Sequence, residues 1–279
     1  MANIHKKKTL NITLKDIVLL TITGIVMIFM LYPAYWVFYG SFKKSGSLFS
    51  SESFGFTFDN YIKLFESGFG NYILNSLFIC LLAVSISTVI AVVTAYIFSR
   101  KNFRGKKWFM STVLAGQMFP WIILITPLFI MFASLGLMNS YTGMVFIYIA
   151  ISIPFSIYLL LGYLQSIPKE LDEAATIDGC STFQVLWKII YPLIRPGIVA
   201  TATYSFILCW SDYLFALAFL TKTSVKTIPL GLSQLFGEYG ADWGAVMAAS
   251  AVTTLPVLLL FLPIQSKIAS GLTSASVKG

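Results

Sequence analysis

The chain has 279 residues, 57% of them hydrophobic and 11% charged, with a mean hydropathy of +0.83. A soluble domain carries about a quarter charged residues, so this composition excludes one and marks a polytopic membrane protein. The net charge of +8 does not indicate nucleic acid, because the basic residues sit in short gaps between apolar runs and no DNA- or RNA-binding motif accompanies them.

Residues 1–16 form a basic arm that contains His5, the one histidine of the chain. Six apolar runs follow, at 17–39, 72–98, 108–132, 142–163, 198–220 and 245–264. Each is about 20 residues, enough to cross roughly 30 Å of hydrocarbon as a helix. None alternates in polarity as a barrel strand does. The predicted fold class is therefore all-α, with one six-span domain over 17–264. The first run is too long for the core of a signal peptide, and its end, Tyr32-Pro33-Ala34-Tyr35-Trp36, is too bulky for a cleavage site. Pro120 and Pro127 in the third run, Pro154 in the fourth and Pro256 in the sixth predict kinked helices.

Fourteen of the 19 Lys and Arg lie before the first run, between the second and third, between the fourth and fifth, and after the sixth. Positive charge marks the cytoplasmic side, which places both termini and the loop 164–197 there. That loop is a polar island with its own helix signals. Pro168 suits a first helical turn. Glu170, Asp172 and Glu173 favour a helix N-terminus, and Gly179 suits its left-handed end. Ser181 and Gln184 have capping-box spacing for a second helix. Phe183, Leu186, Trp187 and Ile190 form one apolar face of that helix, which Pro192 and Pro196 end. A helix lying on anionic headgroups is rich in Lys and Arg. The acidic start of the first helix points instead to docking on another protein.

The residues Glu173-Ala174-Ala175, Asp178-Gly179, Ile189 and Pro192 resemble the EAA loop of permease subunits of bacterial ABC importers. Tyr191 stands where that pattern usually has Leu. The resemblance implies the fold of type I importer permeases, with this loop forming a cytoplasmic coupling helix that docks on an ATPase. The end of the chain, within the tail 265–279, is similar to that of maltose-type (MalG-like) carbohydrate permeases. That likeness implies that Ser276, Val277, Lys278 and Gly279 reach an interface between two ATPases. Trp210-Ser211-Asp212-Tyr213 looks like the same subfamily. The family assigns further partners: a second, homologous permease subunit and an extracellular or periplasmic sugar-binding protein, in the bacterial cytoplasmic membrane. It implies no cofactor on this chain, with ATP and Mg on the separate ATPase. The chain itself has no Gly-x-x-x-x-Gly-Lys-Ser/Thr loop.

An oligosaccharide cargo, maltose or maltodextrin above all, calls for aromatic faces and hydrogen-bonding side chains. Gln117, Trp121, Tyr148, Tyr204, Trp210 and Tyr213 are the candidates within the runs. Asp212 is the one clear acid within a span, either a pathway residue or a structural one. Glu238, Tyr239, Asp242 and Trp243, between the fifth and sixth runs, are candidates for contact with the binding protein. Cys80, Cys180 and Cys209 match no metal or disulfide spacing. Three alternatives stay open at this point: an ion-coupled secondary transporter, an integral-membrane enzyme, and the same machinery with galacto-oligosaccharide, another sugar or glycerol phosphate as cargo.

Overall fold

The computed structural model describes residues 13–44, 55–118, 120–237 and 240–262. Among these, the first long helix, α1 (Leu14–Ser41), opens with a capping box: Thr13 Oγ1 accepts from Asp16 N–H, and Asp16 accepts from Thr13 N–H. A short α2 (Asp59–Glu66) leads to α3 (Phe69–Arg100), the longest helix. In α3 buried residues recur as pairs every four positions: Asn75 and Ser76, Ile79 and Cys80, and so on to Ala95 and Tyr96. A four-residue repeat overshoots the helical turn by about 40° each time. The buried stripe therefore winds around α3 and meets α6 (Tyr141–Gln165), α9 (Tyr191–Trp210) and α11 (Ile228–Gln234) in turn.

The third apolar run is not one helix. It divides into α4 (Lys106–Met118) and α5 (Trp121–Ser134), inclined at 99°. Pro120 begins α5 with extended geometry (ψ 117°) and no N–H to join the preceding turn. Pro127, Pro154 and Pro256 lie inside continuous helices.

The loop before the fifth run, and that run itself, differ more. Pro192 and Pro196 do not end the second loop helix. The backbone runs from α8 (Thr182–Gln184) through a six-residue π-helical turn (Val185–Ile190) directly into α9. Tyr191 N–H donates to Leu186, the last bond of the wide register, and the next residue is Pro192, which has no N–H to donate. The proline thus falls where the register changes back, and the missing donor costs little there. The helix stops at Trp210, short of the predicted 220. Residues 214–219 form a separate helix, α10 (Leu214–Phe219). A hairpin of β1 (Phe236–Gly237) and β2 (Gly240–Ala241) precedes α12 (Trp243–Phe261).

Five helices, or six spans if α4 and α5 count as one, are long and apolar enough to cross a membrane. Helix α1 packs on α12 and leaves Leu20 and Phe29 largely exposed, as lipid contact allows. Helices α6 and α9 approach closely at Gly197, where a Cβ would stand 2.5 Å from the Tyr163 ring.

Candidate functional site

The predicted loop helix is α7 (Glu170–Ile177), eight residues with Glu170, Asp172 and Glu173 in its first turn. Pro168 lies before the helix, outside its first turn, because Lys169 takes the N-cap position. The C-terminus is a Schellman motif: Cys180 N–H donates to Ala175 O and Gly179 N–H to Thr176 O, each at 3.0 Å. Gly179 supplies the left-handed residue, φ +85°. Space is no constraint there, since nothing lies within 4 Å of a Cβ. Beyond it, Ser181 and Gln184 form the expected capping box, at 3.4 and 2.8 Å.

The motif residues divide by direction. Ala175 is the one buried residue of α7 and sits in an aliphatic cluster with Leu160, Leu164, Val185, Leu186 and Ile190. Glu173, Ala174 and Asp178 are exposed. Ile177 is 87% exposed and Phe183, predicted to lie on the buried face, is 71% exposed. Val185 takes that buried place, because the π turn rotates the face. Ile189 is half-buried beside the cluster and Pro192 is exposed.

Asp172 points inward. Tyr96 Oη donates to its Oδ1 at 2.7 Å. Arg100 Nε lies 3.0 Å from its Oδ2, an ion pair whose angle falls short of a hydrogen bond. Arg100 Nη1 donates to Ile167 O, in the turn after α6, at 3.2 Å and to Leu164 O, in the last turn of α6, at 3.4 Å. The two charged side chains are only 7% and 15% exposed. Burying a methyl such as that of Ala175 contributes about 0.8 kcal/mol. Removing one partner of a buried ion pair costs about 3–5 kcal/mol. The polar contacts, more than the apolar one, therefore set where α7 lies. In the sequence Arg100 reads as a topology charge and Asp172 as a helix-start acid. No local signal links residues so far apart in the chain.

The proposed pathway residues form no single group. Trp210 and Tyr213 line a cleft of about 580 Å³ together with Ser211, Phe236, Thr253 and Thr254. Trp210 Nε1 donates to Thr253 O at 3.1 Å and its ring stacks on Phe206. Asp212 accepts from Phe215 and Ala216 N–H at 3.3 and 3.1 Å and so caps α10. Its third donor is Tyr148 Oη at 3.1 Å. Tyr148 is 1% exposed and lines no open surface here. Gln117 lies elsewhere, its Nε2 reaching Ile151 O at 3.5 Å. Trp121 packs on Phe215 and Tyr204 on Phe155. Phe236, Thr253 and Thr254 were missed from sequence. They come from β1 and α12, and only the fold brings them beside Trp210 and Tyr213.

Asp242 caps α12 through Ala245 N–H at 3.2 Å, and Trp243 meets Phe236 edge to face. Glu238 and Tyr239 lie outside the described residues, as do Ser276, Val277, Lys278 and Gly279. Among the described residues no group of three or more His, Cys, Asp or Glu side chains is placed to hold a metal.

Comparison with known proteins gives this geometry a context. Residues 87–273 match the family described as binding-protein-dependent transport system inner membrane component. The chain is 33% identical over 264 residues to the diacetylchitobiose uptake system permease protein DasC of Streptomyces coelicolor, covering 92% of this chain and 96% of that protein. It is 36% identical over 269 residues to the trehalose/maltose transport system permease protein MalG of Thermococcus litoralis, covering 94% and 97%. Its fold is that of a chain in the crystal structure of a bacterial ABC transporter involved in alginate import, with a TM-score of 0.78 at 23% identity over 90% and 95% of the two chains. The type I importer permease fold is thereby shown, and the chain belongs to the binding-protein-dependent transport system inner membrane component family.

Proposed function

We propose that the chain is one of two transmembrane permease subunits in an ATP-driven, binding-protein-dependent importer of oligosaccharides. The observation that carries this reading is α7, an eight-residue helix held from behind by Asp172 and presenting Glu173, Ala174 and Ile177 outward. Such a helix is built to be grasped by another protein. The family match supports an importer. The relatives named for diacetylchitobiose and for trehalose/maltose support a sugar cargo. Maltose or maltodextrin is the narrower proposal.

In this reading both termini and α7 face the cytoplasm, where two ATPase subunits bind ATP and Mg; this chain carries no cofactor. ATP closes the ATPases and draws the coupling helices together. The permease then changes its opening by a shift between two conformations, which requires that ATP favour one of them. A homologous second subunit completes the pathway. An extracellular sugar-binding protein delivers cargo near the β1–β2 hairpin, with Glu238, Tyr239, Asp242 and Trp243 on its side. The tail residues Ser276–Gly279 meet the ATPases. The Trp210–Tyr213 cleft offers aromatic faces and hydroxyls of the kind a sugar ring uses.

The test is Glu173→Arg in the assembled complex. Sugar-stimulated ATP hydrolysis is expected to be lost while membrane insertion is retained, and unchanged transport defeats the coupling reading. Gradient-driven uptake in liposomes by the chain purified without an ATPase would favour an ion-coupled transporter instead. Binding measurements on the partner extracellular protein, with maltodextrins against other oligosaccharides, identify the cargo.

A further inference from the structure

From the contacts behind α7, we infer that Tyr96, Arg100 and Asp172 form a three-way clamp that makes α7 move as one body with the inner ends of α3 and α6. The proposal rests on the coupling reading of α7 and assigns Arg100 as the positioning residue for that coupling. It identifies α3 as a span that receives the stroke.

The geometry carries it in three steps. First, α7 joins its neighbours in the chain through short turns, Ser166–Lys169 before it and Asp178–Ser181 after it. The second turn contains Gly179 at φ +85° with no side chain crowding it, so its two backbone bonds, and no side-chain contact at Gly179, define this joint. Second, the one buried residue of α7 is an alanine, whose methyl fixes neither rotation nor sliding. Third, the Arg100 guanidinium, on the last residue of α3, touches both other elements at once: Leu164 O in the last turn of α6 with Ile167 O in the turn that follows, and the α7 carboxylate of Asp172. Tyr96, one turn earlier on α3, bonds the other oxygen of the same carboxylate. A carboxylate held at both oxygens by two side chains of one helix has its orientation defined relative to that helix.

The clamp is an expensive way to gain stability alone. Arg100 Nη2 is buried without a hydrogen-bond partner among the described residues. A buried pair of this kind is often no better for stability than apolar packing of the same size. What it supplies, and apolar packing does not, is a defined relative placement of three elements.

The experiment measures that placement in the full chain purified with its partner subunits. Spin labels at Asn102→Cys, beyond α3, and Glu170→Cys, at the start of α7, are placed in a background with Cys80, Cys180 and Cys209 changed to Ser. Electron–electron resonance then gives the distance between them, nucleotide-free and with MgATP and vanadate. One narrow distance, the same in both states, is expected. With Arg100→Gln the distribution broadens and becomes nucleotide-dependent. In that complex, ATP hydrolysis continues but loses its response to the binding protein. The paired exchange Arg100→Asp with Asp172→Arg narrows the distribution again, a rescue that loss of packing alone would not show.

The clamp is overturned if the parent distance shifts with nucleotide or if Arg100→Gln keeps the parent's narrow distance. Should Arg100→Gln fail to fold, Tyr96→Phe removes only the 2.7 Å bond and is expected to broaden the distribution in the same sense; an unchanged width overturns the clamp. If no ATPase accompanies the parent chain, the coupling reading fails, while the comparison of widths still decides the clamp.

Discussion

The two ends of the bundle are held together by different means. At the end carrying α7 the core is aliphatic but for Tyr96, with Ala91, Val92, Leu160, Leu164, Ile190 and Ile194 among its members. Its loop segment is held by one buried charge pair. At the other end the core is rich in aromatics, including Phe69, Phe132, Tyr148, Phe206, Phe215 and Phe219. There the loops are stitched by many neutral side-chain bonds to backbone. Asn60 donates to Ser41 O and Lys43 O at 2.9 and 2.8 Å. Asn75 donates to Ser224 O and Lys226 O at 3.0 and 2.9 Å. Asn139 accepts from Thr221 and Lys222 N–H, and Ser76 from Ile228 N–H. Each such bond contributes about 1 kcal/mol, so no single one decides the structure. One end distributes its constraint and the other concentrates it, and the concentrated end is the one proposed to meet a moving partner.

The contrast is open to test by mutation. The largest effect is expected at the concentrated end: Arg100→Ala leaves Asp172 buried and unpaired, at a cost of about 3–5 kcal/mol. Hydrogen exchange is expected to show it as deprotection of α7 with the far end unchanged; equal deprotection of both ends would break the contrast. Asn75→Ala comes next, at about 1–3 kcal/mol for the carbonyls it leaves unsatisfied. It is read as a lower Tm in detergent, and a loss as large as that of Arg100→Ala would show that the far end also depends on single residues. Gly179→Ala places a Cβ on a residue at φ +85° and is expected to cost about 1–2 kcal/mol, confined to protection of the Thr176–Ser181 turn. The smallest effect on stability is expected at Glu173→Ala, an exposed site where substitutions fall within about 0.5 kcal/mol. Its Tm should match the parent while coupling to ATP hydrolysis falls, separating a docking residue from a structural one.

Much of this was legible in order along the chain. The α7 boundaries follow from acids at the start and a glycine at the end, both local backbone signals. The Ser181–Gln184 capping box was readable for the same reason: its partners are three residues apart. Around the fifth span the sequence misleads twice. The loop prolines before it read as helix ends, but the π turn places Pro192 where no donor is needed. Its apolar run continues past Trp210, so hydropathy could not reveal that Asp212 starts a new helix there. The aromatic candidates for a sugar path scattered for a related reason: residue type marks an aromatic as useful, but only packing decides whether it lines a cleft, as Trp210 does, or fills a core, as Tyr148 does.

By itself the sequence determined the class, the apolar runs and the short helix of the loop. Each of these is enforced by interactions within about one helical turn or by the thickness of hydrocarbon. The tertiary structure alone decided which way each residue of that helix faces. It also decided that Arg100 grips Asp172 and that Trp210 and Tyr213 share a cleft with Thr253 and Phe236. Those outcomes depend on where separate spans lie side by side, and the side chains that meet there carry no mark of their partners in the order of the chain.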